Sequence, residues 1–180
     1  MIPERYKDAK YEDVPKEIRE RFEKIHETRK GMYVHGSVGS GKTHISYSLK
    51  KFWDSKASKG AIFWNTAELM REIKMDFDRP AIDKTRAEEK IMRFTGLLFI
   101  DDIGSEKMTD FVAETFYMII NHRYEKRLPI IFTSNLPIGD LAERIGDRTT
   151  SRIVEMCDVI ELSGSDRRME KATKIKVWWN

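Results

Sequence analysis

Cysteine is almost absent: Cys157 is the single thiol in 180 residues. No internal disulfide and no multi-cysteine zinc site can be assembled from it, and a reducing, cytoplasmic setting is expected. The four histidines (26, 35, 44 and 122) are dispersed without metal-ligand spacing, so a zinc site is not expected. Long hydrophobic runs are missing as well. None approaches the ~20 apolar residues a membrane-crossing helix needs, and Met1-Ile2-Pro3-Glu4-Arg5 is charged at once rather than built like a signal peptide. A soluble protein without membrane attachment is expected. Charge of one sign is lacking: charged residues make up 35% of the chain, yet the net charge is only +3. Bulk charge is therefore no argument for a nucleic-acid partner, and only a local patch could carry one.

What remains is enough for one domain, burying roughly 70% of its unfolded surface. Its most informative stretch is Met32-Tyr33-Val34-His35-Gly36-Ser37-Val38-Gly39-Ser40-Gly41-Lys42-Thr43. A short apolar run enters a glycine-rich turn, and the turn enters a helix start. Gly36, Gly41, Lys42 and Thr43 meet every defined position of the G-x-x-x-x-G-K-[ST] phosphate loop. Glycines at 36, 39 and 41 let backbone N–H groups of Ser37, Val38, Ser40 and their neighbours approach an anion. The positive end of the following helix points to the same place. Lys42 would lie along the β- and γ-phosphates of ATP, and the Thr43 hydroxyl would ligate Mg²⁺. His44, on the first helical turn, completes the run of expected nucleotide-binding residues, with packing as its plainer role.

In chain order, residues 1–15 read as an extended lead-in. Ile18, Phe22 and Ile25 recur at helical spacing, which predicts an amphipathic helix over 16–30 packed on the sheet edge. Strands are predicted at 32–35, 61–64, 97–100, 130–134 and 157–162. Helices are predicted at 43–55, from 66, at 82–94, 109–127, 139–145 and 147–156. Alternating elements with wholly apolar strands imply an α/β fold with a parallel five-stranded sheet covered on both faces. In such sheets ligands sit at the carboxyl ends of strands.

Several polar groups fall at those ends. Leu97-Leu98-Phe99-Ile100-Asp101-Asp102 has the form of a Walker B segment. Asp101 would hold Mg²⁺, through water, and Asp102 would orient or deprotonate the attacking water. Asn135, following Thr133-Ser134, would hydrogen-bond that water or the γ-phosphate; a helix cap before Pro137 is its plainer role. Arg148 and Arg152 are four apart, on one face of a short helix. They could serve a transferring phosphate or simply bridge Asp147 and Glu155. Arg167-Arg168 and the Trp178-Trp179 end, with Ile175 and Val177 nearby, carry no role from composition alone. Packing on the body is the plainer fate of the tail, and partner docking or base stacking the sharper one.

Gly36-to-His44, Asp101-Asp102-Ile103-Gly104, Thr133-Ser134-Asn135 and Asp147-to-Ile153 together resemble the AAA+ ATPases of the DnaC/DnaI helicase-loader and IstB-like group. The resemblance runs from Pro3 to Arg168. It implies a P-loop NTPase core over 31–168 without a substantial lid domain, preceded by residues 1–30 and followed by a basic, aromatic tail over 169–180. It implies an ATPase that is slow and stimulated by DNA or assembly. Arg152, with Arg148 nearby, would reach the nucleotide of an adjacent subunit in an ATP-dependent oligomer. Arg168, with Arg167 as close rival, would read ATP in cis. The implied partners are a replicative helicase and single-stranded DNA, the latter contacted in part by a two-helix insertion over 66–93. The basic residues there (71, 74, 79, 84, 86, 90, 93) are matched by acids, so a solvated helix pair is the competing reading. Two departures stand out. Loaders of this group carry an N-terminal domain that grips the helicase, whereas only residues 1–30 precede the first predicted strand. Asp102 also stands where Glu is more usual. An IstB-like transposition helper, a nucleotide-gated scaffold with negligible turnover, and a small nucleoside or nucleotide kinase remain as alternatives.

Overall fold

Each predicted apolar run becomes a strand of one parallel sheet. The computed structural model describes residues 2–77 and 86–164. After two short 3₁₀ turns, Glu4–Tyr6 and Tyr11–Asp13, come α1 (Lys16–Glu23), α2 (Ile25–Thr28) and β1 (Gly31–His35). They are followed by α3 (Lys42–Lys56), β2 (Ala61–Asn65), α4 (Thr66–Phe77), α5 (Ala87–Arg93) and β3 (Leu97–Asp101). The chain continues through α6 (Asp110–Glu125), β4 (Ile130–Ser134), α7 (Ile138–Ile145), α8 (Asp147–Met156) and β5 (Cys157–Glu161). The strand order is β2-β3-β4-β1-β5, with every pairing parallel.

That order explains how the two faces are covered. From β1 the chain crosses β4 and β3 to reach β2; every later crossover moves in the opposite direction. Right-handed crossovers therefore put α3 on one face and α4 to α8 on the other. The packing agrees. Ile45, Leu49 and Trp53 of α3 join Ile18, Phe22 and Ile25 against Met32, Val34, Leu97, Phe99 and Ile131. On the opposite face Leu69, Ile91, Phe116, Ile119, Leu141 and Ile153 meet Tyr33, Leu98, Ile100, Ile130 and Phe132. Successive strand residues alternate between these two cores, as the pleat requires.

Three expectations need revision. The lead-in is not extended: its two turns are tied to α3, where Lys51 Nζ donates to the carbonyls of Lys7 and Ala9 at 2.7 and 2.9 Å. Tyr11 stacks on Phe52 with ring centroids 3.9 Å apart. The helix over 16–30 is two helices meeting at Lys24, and Arg29 takes a left-handed conformation (φ 58°) that ends α2 before the turn into β1. It packs across a sheet face rather than only along the edge. It touches the edge strand β5 through the Arg21–Asp158 ion pair at 3.3 Å, with Lys30 also pairing to Asp158 at 2.7 Å. Within the helix expected over 82–94, α5 begins at Ala87, and residues 78–85 lie outside the described part.

Arg123, which no pattern in the sequence singles out, is fully buried. Its guanidinium donates to the carbonyls of Phe94 (3.1 Å), Gly96 (2.6 Å) and Pro129 (2.8 Å). It thereby ties the segments that lead into β3 and β4. Burial pulls its pKa down to about 10, so the group stays charged at neutral pH. Replacing it with methionine removes a charged donor from three carbonyls, of which Pro129 O keeps the Leu98 N–H at 3.3 Å. Arg123→Met is expected to cost about 2–4 kcal/mol in urea unfolding. Nucleotide affinity of the folded fraction should not change, since Arg123 acts at the end of the sheet away from the phosphate loop.

Candidate nucleotide-binding site

The phosphate loop leaves β1 at Gly36, whose N–H donates to Ser134 O at 3.2 Å. A side chain at Gly36 would place its Cβ 2.3 Å from Leu162 O, so the loop can pass β5 only as glycine. Gly39 (φ 79°) and Gly41 (φ 100°) turn the chain through left-handed conformations, and Gly41 is the N-cap of α3. The first N–H groups of α3 consequently face the loop without intrahelical acceptors. The Lys42 ammonium lies within the loop's curve, donating to Gly36 O and Ser37 O at 2.8 Å each. The loop's rim is fastened to the end of the sheet by Ser37 Oγ, which donates to Gly164 O at 2.8 Å.

Asp101 ends β3 and is buried. Its carboxylate accepts from Thr43 Oγ1 at 3.0 Å and from Thr133 Oγ1 at 2.7 Å. One carboxylate thus joins the start of α3, the end of β3 and the end of β4. Burial pushes its pKa above the ordinary carboxylate range and the Asp102 charge adds to this; the Thr133 and Thr43 hydroxyls and Lys42 oppose it. Asp102 adopts φ 62°, with its N–H donating to Thr133 Oγ1 at 2.9 Å. Asn135 Nδ2 donates to Asp102 Oδ1 at 2.9 Å. Because β4 lies between β1 and β3 in the sheet, Asn135 stands between the phosphate loop and the acidic pair. Lys42, Thr43, Asp101, Asp102 and Asn135 are therefore brought to one rim.

Other expected site residues fall elsewhere. His44 turns to the N-terminal segment, with its ring edge-on to Tyr6 (centroids 6.5 Å apart) and Nε2 3.8 Å from Asp13 Oδ2. Arg148 and Arg152 lie on α8, over the face opposite α3, where their contacts are with α6 and with each other. Of the insertion's basic residues, Arg71 pairs with Glu72 and Arg93 with Glu89, and Lys74 lies 5.6 Å from the Phe111 ring centroid. Arg79, Lys84, Arg167, Arg168 and the Trp178-Trp179 tail lie outside the described residues. Among the described residues no His, Cys, Asp and Glu cluster could hold a metal by itself, and no helix is long and apolar enough to cross a membrane.

Thr133 is the functional residue that sequence reasoning passed over. It accepts from the Asp102 N–H while donating to Asp101, so one hydroxyl sets both acids. Ser134 works beside it: its Oγ donates to Ile103 O at 2.7 Å and accepts from Leu136 N at 3.1 Å. The signal was present as two hydroxyl residues closing an otherwise apolar strand.

The sheet order with the phosphate loop after β1 and the acidic pair after β3 defines a P-loop domain of the AAA+ kind. The chain belongs to the family of IstB-like ATP binding proteins, which it matches over residues 21–175. It is 31% identical over 172 residues to the uncharacterized protein YqaM of Bacillus subtilis, covering 92% of this chain and 52% of that protein. It is 29% identical over 153 residues to the replicative helicase loader DnaI of Bacillus subtilis, covering 77% of this chain and 48% of the loader. The chain therefore spans about half the length of these curated relatives. Among solved structures, the DnaC helicase loader superposes with a TM-score of 0.78 at 25% identity, covering 89% of this chain and 100% of that one.

Thr133→Val keeps the β-branched shape but leaves the Asp102 N–H without its acceptor and Asp101 with the Thr43 hydroxyl in place of two hydroxyl donors. An unsatisfied group of this kind costs about 1–3 kcal/mol. ATP turnover is expected to fall about ten- to hundredfold, with ATP affinity within about threefold of the parent. Phosphate release and equilibrium titration with a fluorescent ATP analogue measure the two.

Proposed function

We propose that this chain is an ATP-binding and ATP-hydrolysing accessory protein of DNA replication, resembling a DnaC-type helicase loader. ATP binding orders subunits along single-stranded DNA, and hydrolysis releases them. The observation that carries this reading is the placement of Thr43 Oγ1 on the Asp101 carboxylate at the mouth of the phosphate loop. A hydroxyl and a carboxylate are the hard oxygen donors that Mg²⁺ takes beside nucleotide phosphates, so the residues present fit Mg·ATP. When bound there, the ion would neutralise charge on the phosphate oxygens.

The chain's own groups do the rest. The loop N–H groups and Lys42 hold the β- and γ-phosphates, exchanging the ammonium's bonds to Gly36 O and Ser37 O for phosphate oxygens. Asp102 accepts a proton from the attacking water, and Asn135, already bonded to Asp102, orients that water toward the phosphorus. Arg152 and Arg148 of an adjacent subunit complete the charge around the transferring phosphoryl group, a contribution worth a factor of roughly 10³–10⁵. Arg168 reads the nucleotide in cis. The helicase and single-stranded DNA are the proposed partners, with DNA meeting the α4–α5 insertion in part. A second reading, a helper ATPase that delivers a transposase to duplex DNA, draws support from the family match itself. Pull-down of a helicase or of a transposase separates the two.

Lys42→Ala is expected to abolish ATP binding in equilibrium titration. Arg152→Ala should bind ATP with unchanged affinity and lose turnover by about 10³ or more; normal turnover in that variant would refute the trans assignment. Mass in solution should rise when ATP and single-stranded DNA are added together. A protein that stays monomeric throughout, and passes phosphate to a nucleoside or nucleotide acceptor, would instead be a kinase.

A further inference from the structure

The surface between α6 and α8 holds its two arginines in an unusual way. The Arg152 guanidinium carbon lies 5.3 Å from the Tyr117 ring centroid and 5.6 Å from that of Tyr124. That of Arg148 lies 4.9 Å from Tyr117. Arg152 NH1 donates to Arg148 O at 3.0 Å, and its Nε is buried without a hydrogen-bond partner. Asp147 and Glu155 flank the pair in sequence, yet among the described residues neither arginine has a carboxylate within ion-pair distance. The Glu155 carboxylate lies toward the Tyr124 hydroxyl and pushes that phenol's pKa up.

We infer that Tyr117 and Tyr124 are positioning residues, a two-ring platform that holds Arg152 and Arg148 ready for the nucleotide of an adjacent subunit. This rests on the trans-arginine reading above and deepens it. The physical reason lies in the choice of aromatic faces over carboxylates. A free arginine on a helix surface samples many rotamers and must be ordered before it can meet a phosphate. A carboxylate would order it but also neutralise it, and the ion pair would have to break each time phosphate arrived. A ring face attracts the guanidinium through its quadrupole and constrains its plane, yet leaves its full charge and outward N–H groups for an incoming anion. Tyr117 and Tyr124 are two helical turns apart on α6, and Arg148 and Arg152 one turn apart on α8. Two parallel rows therefore face each other across the helix packing.

A mixed assembly tests this. One subunit carries Arg152→Ala, so its site is intact but its arginine is gone. The other carries Asp102→Asn, so its site is dead but its arginine is present. Mixing them should restore ATP turnover. Adding Tyr117→Leu and Tyr124→Leu to the Asp102→Asn subunit should lower the restored rate by about fivefold or more. Tyr117→Phe and Tyr124→Phe, which keep both ring faces, should return it to within about twofold. The same Leu pair placed in the Arg152→Ala subunit should leave the restored rate within about twofold, with ATP affinity unchanged in either placement. Full turnover from the Leu-bearing donor, or equal loss in both placements, overturns the platform while the trans-arginine reading stands. Normal turnover by Arg152→Ala alone removes that reading and the platform with it.

Discussion

The structure depends on one buried carboxylate. Asp101 accepts hydrogen bonds from Thr43 and Thr133, and these lie on elements that meet nowhere else in sequence: the first turn of α3 and the last residues of β4. A buried acid is costly unless its oxygens are satisfied. The arrangement that satisfies Asp101 is therefore the arrangement that sets the phosphate loop against the acidic rim. Thr66 Oγ1 donates to the Asp101 carbonyl at 3.0 Å, which brings the start of α4 to the same point. Four elements of the sheet's carboxyl edge thus converge on a single residue. Its side chain is held by two hydroxyl donors before any ligand contact is considered.

Much of this was legible because it is local. The phosphate loop is a contiguous pattern, and the strands announce themselves as apolar runs ending in Asp101-Asp102 or Ser134-Asn135. Helix periodicity placed α7 and α8 within a residue or two. What was illegible depends on register between distant strands. Nothing in one dimension says that Thr133 lies beside Asp101, because that follows from Ile100 pairing with Phe132 across the sheet. Tyr117 and Tyr124 read as ordinary residues of an amphipathic helix. Their meaning appears only when α8 sets two arginines on their faces. Arg123 was invisible for the opposite reason, since buried guanidinium groups are rare enough that surface exposure is the natural expectation.

The reversal of crossover direction at β2 also organises function. It sends α3 to one face and the later helices to the other, so phosphate-binding and arginine-bearing helices are built on different cores. The nucleotide rim is fixed by the core of Ile45 and Leu49 together with the hydroxyls of β4. The arginine row is fixed by Ile153 and Phe116 on the far side. Repacking either core would disturb one half of the machinery and leave the other in place. Such a division suits the proposed assembly, in which the two halves would meet in different subunits.

Asp102 shows how backbone and side chain share one task. The shorter acid at this position would be read from sequence as a reach shortened by one methylene, and so as a slower base. The structure adds a second consequence. The residue sits at φ 62°, a left-handed conformation that aspartate and asparagine adopt more readily than longer side chains, because a short polar arm can bond locally. Its N–H is fixed by Thr133, and its carbonyl accepts from Ser105 Oγ at 2.8 Å and from Ser105 N at 3.3 Å. The turn after β3 is thus locked on both sides of the acid. The backbone then carries the carboxylate to Asn135, and flexibility of the side chain is not needed to find it. A longer acid would extend reach while weakening the conformation that aims it, so the residue at 102 is set as much by the turn as by the chemistry.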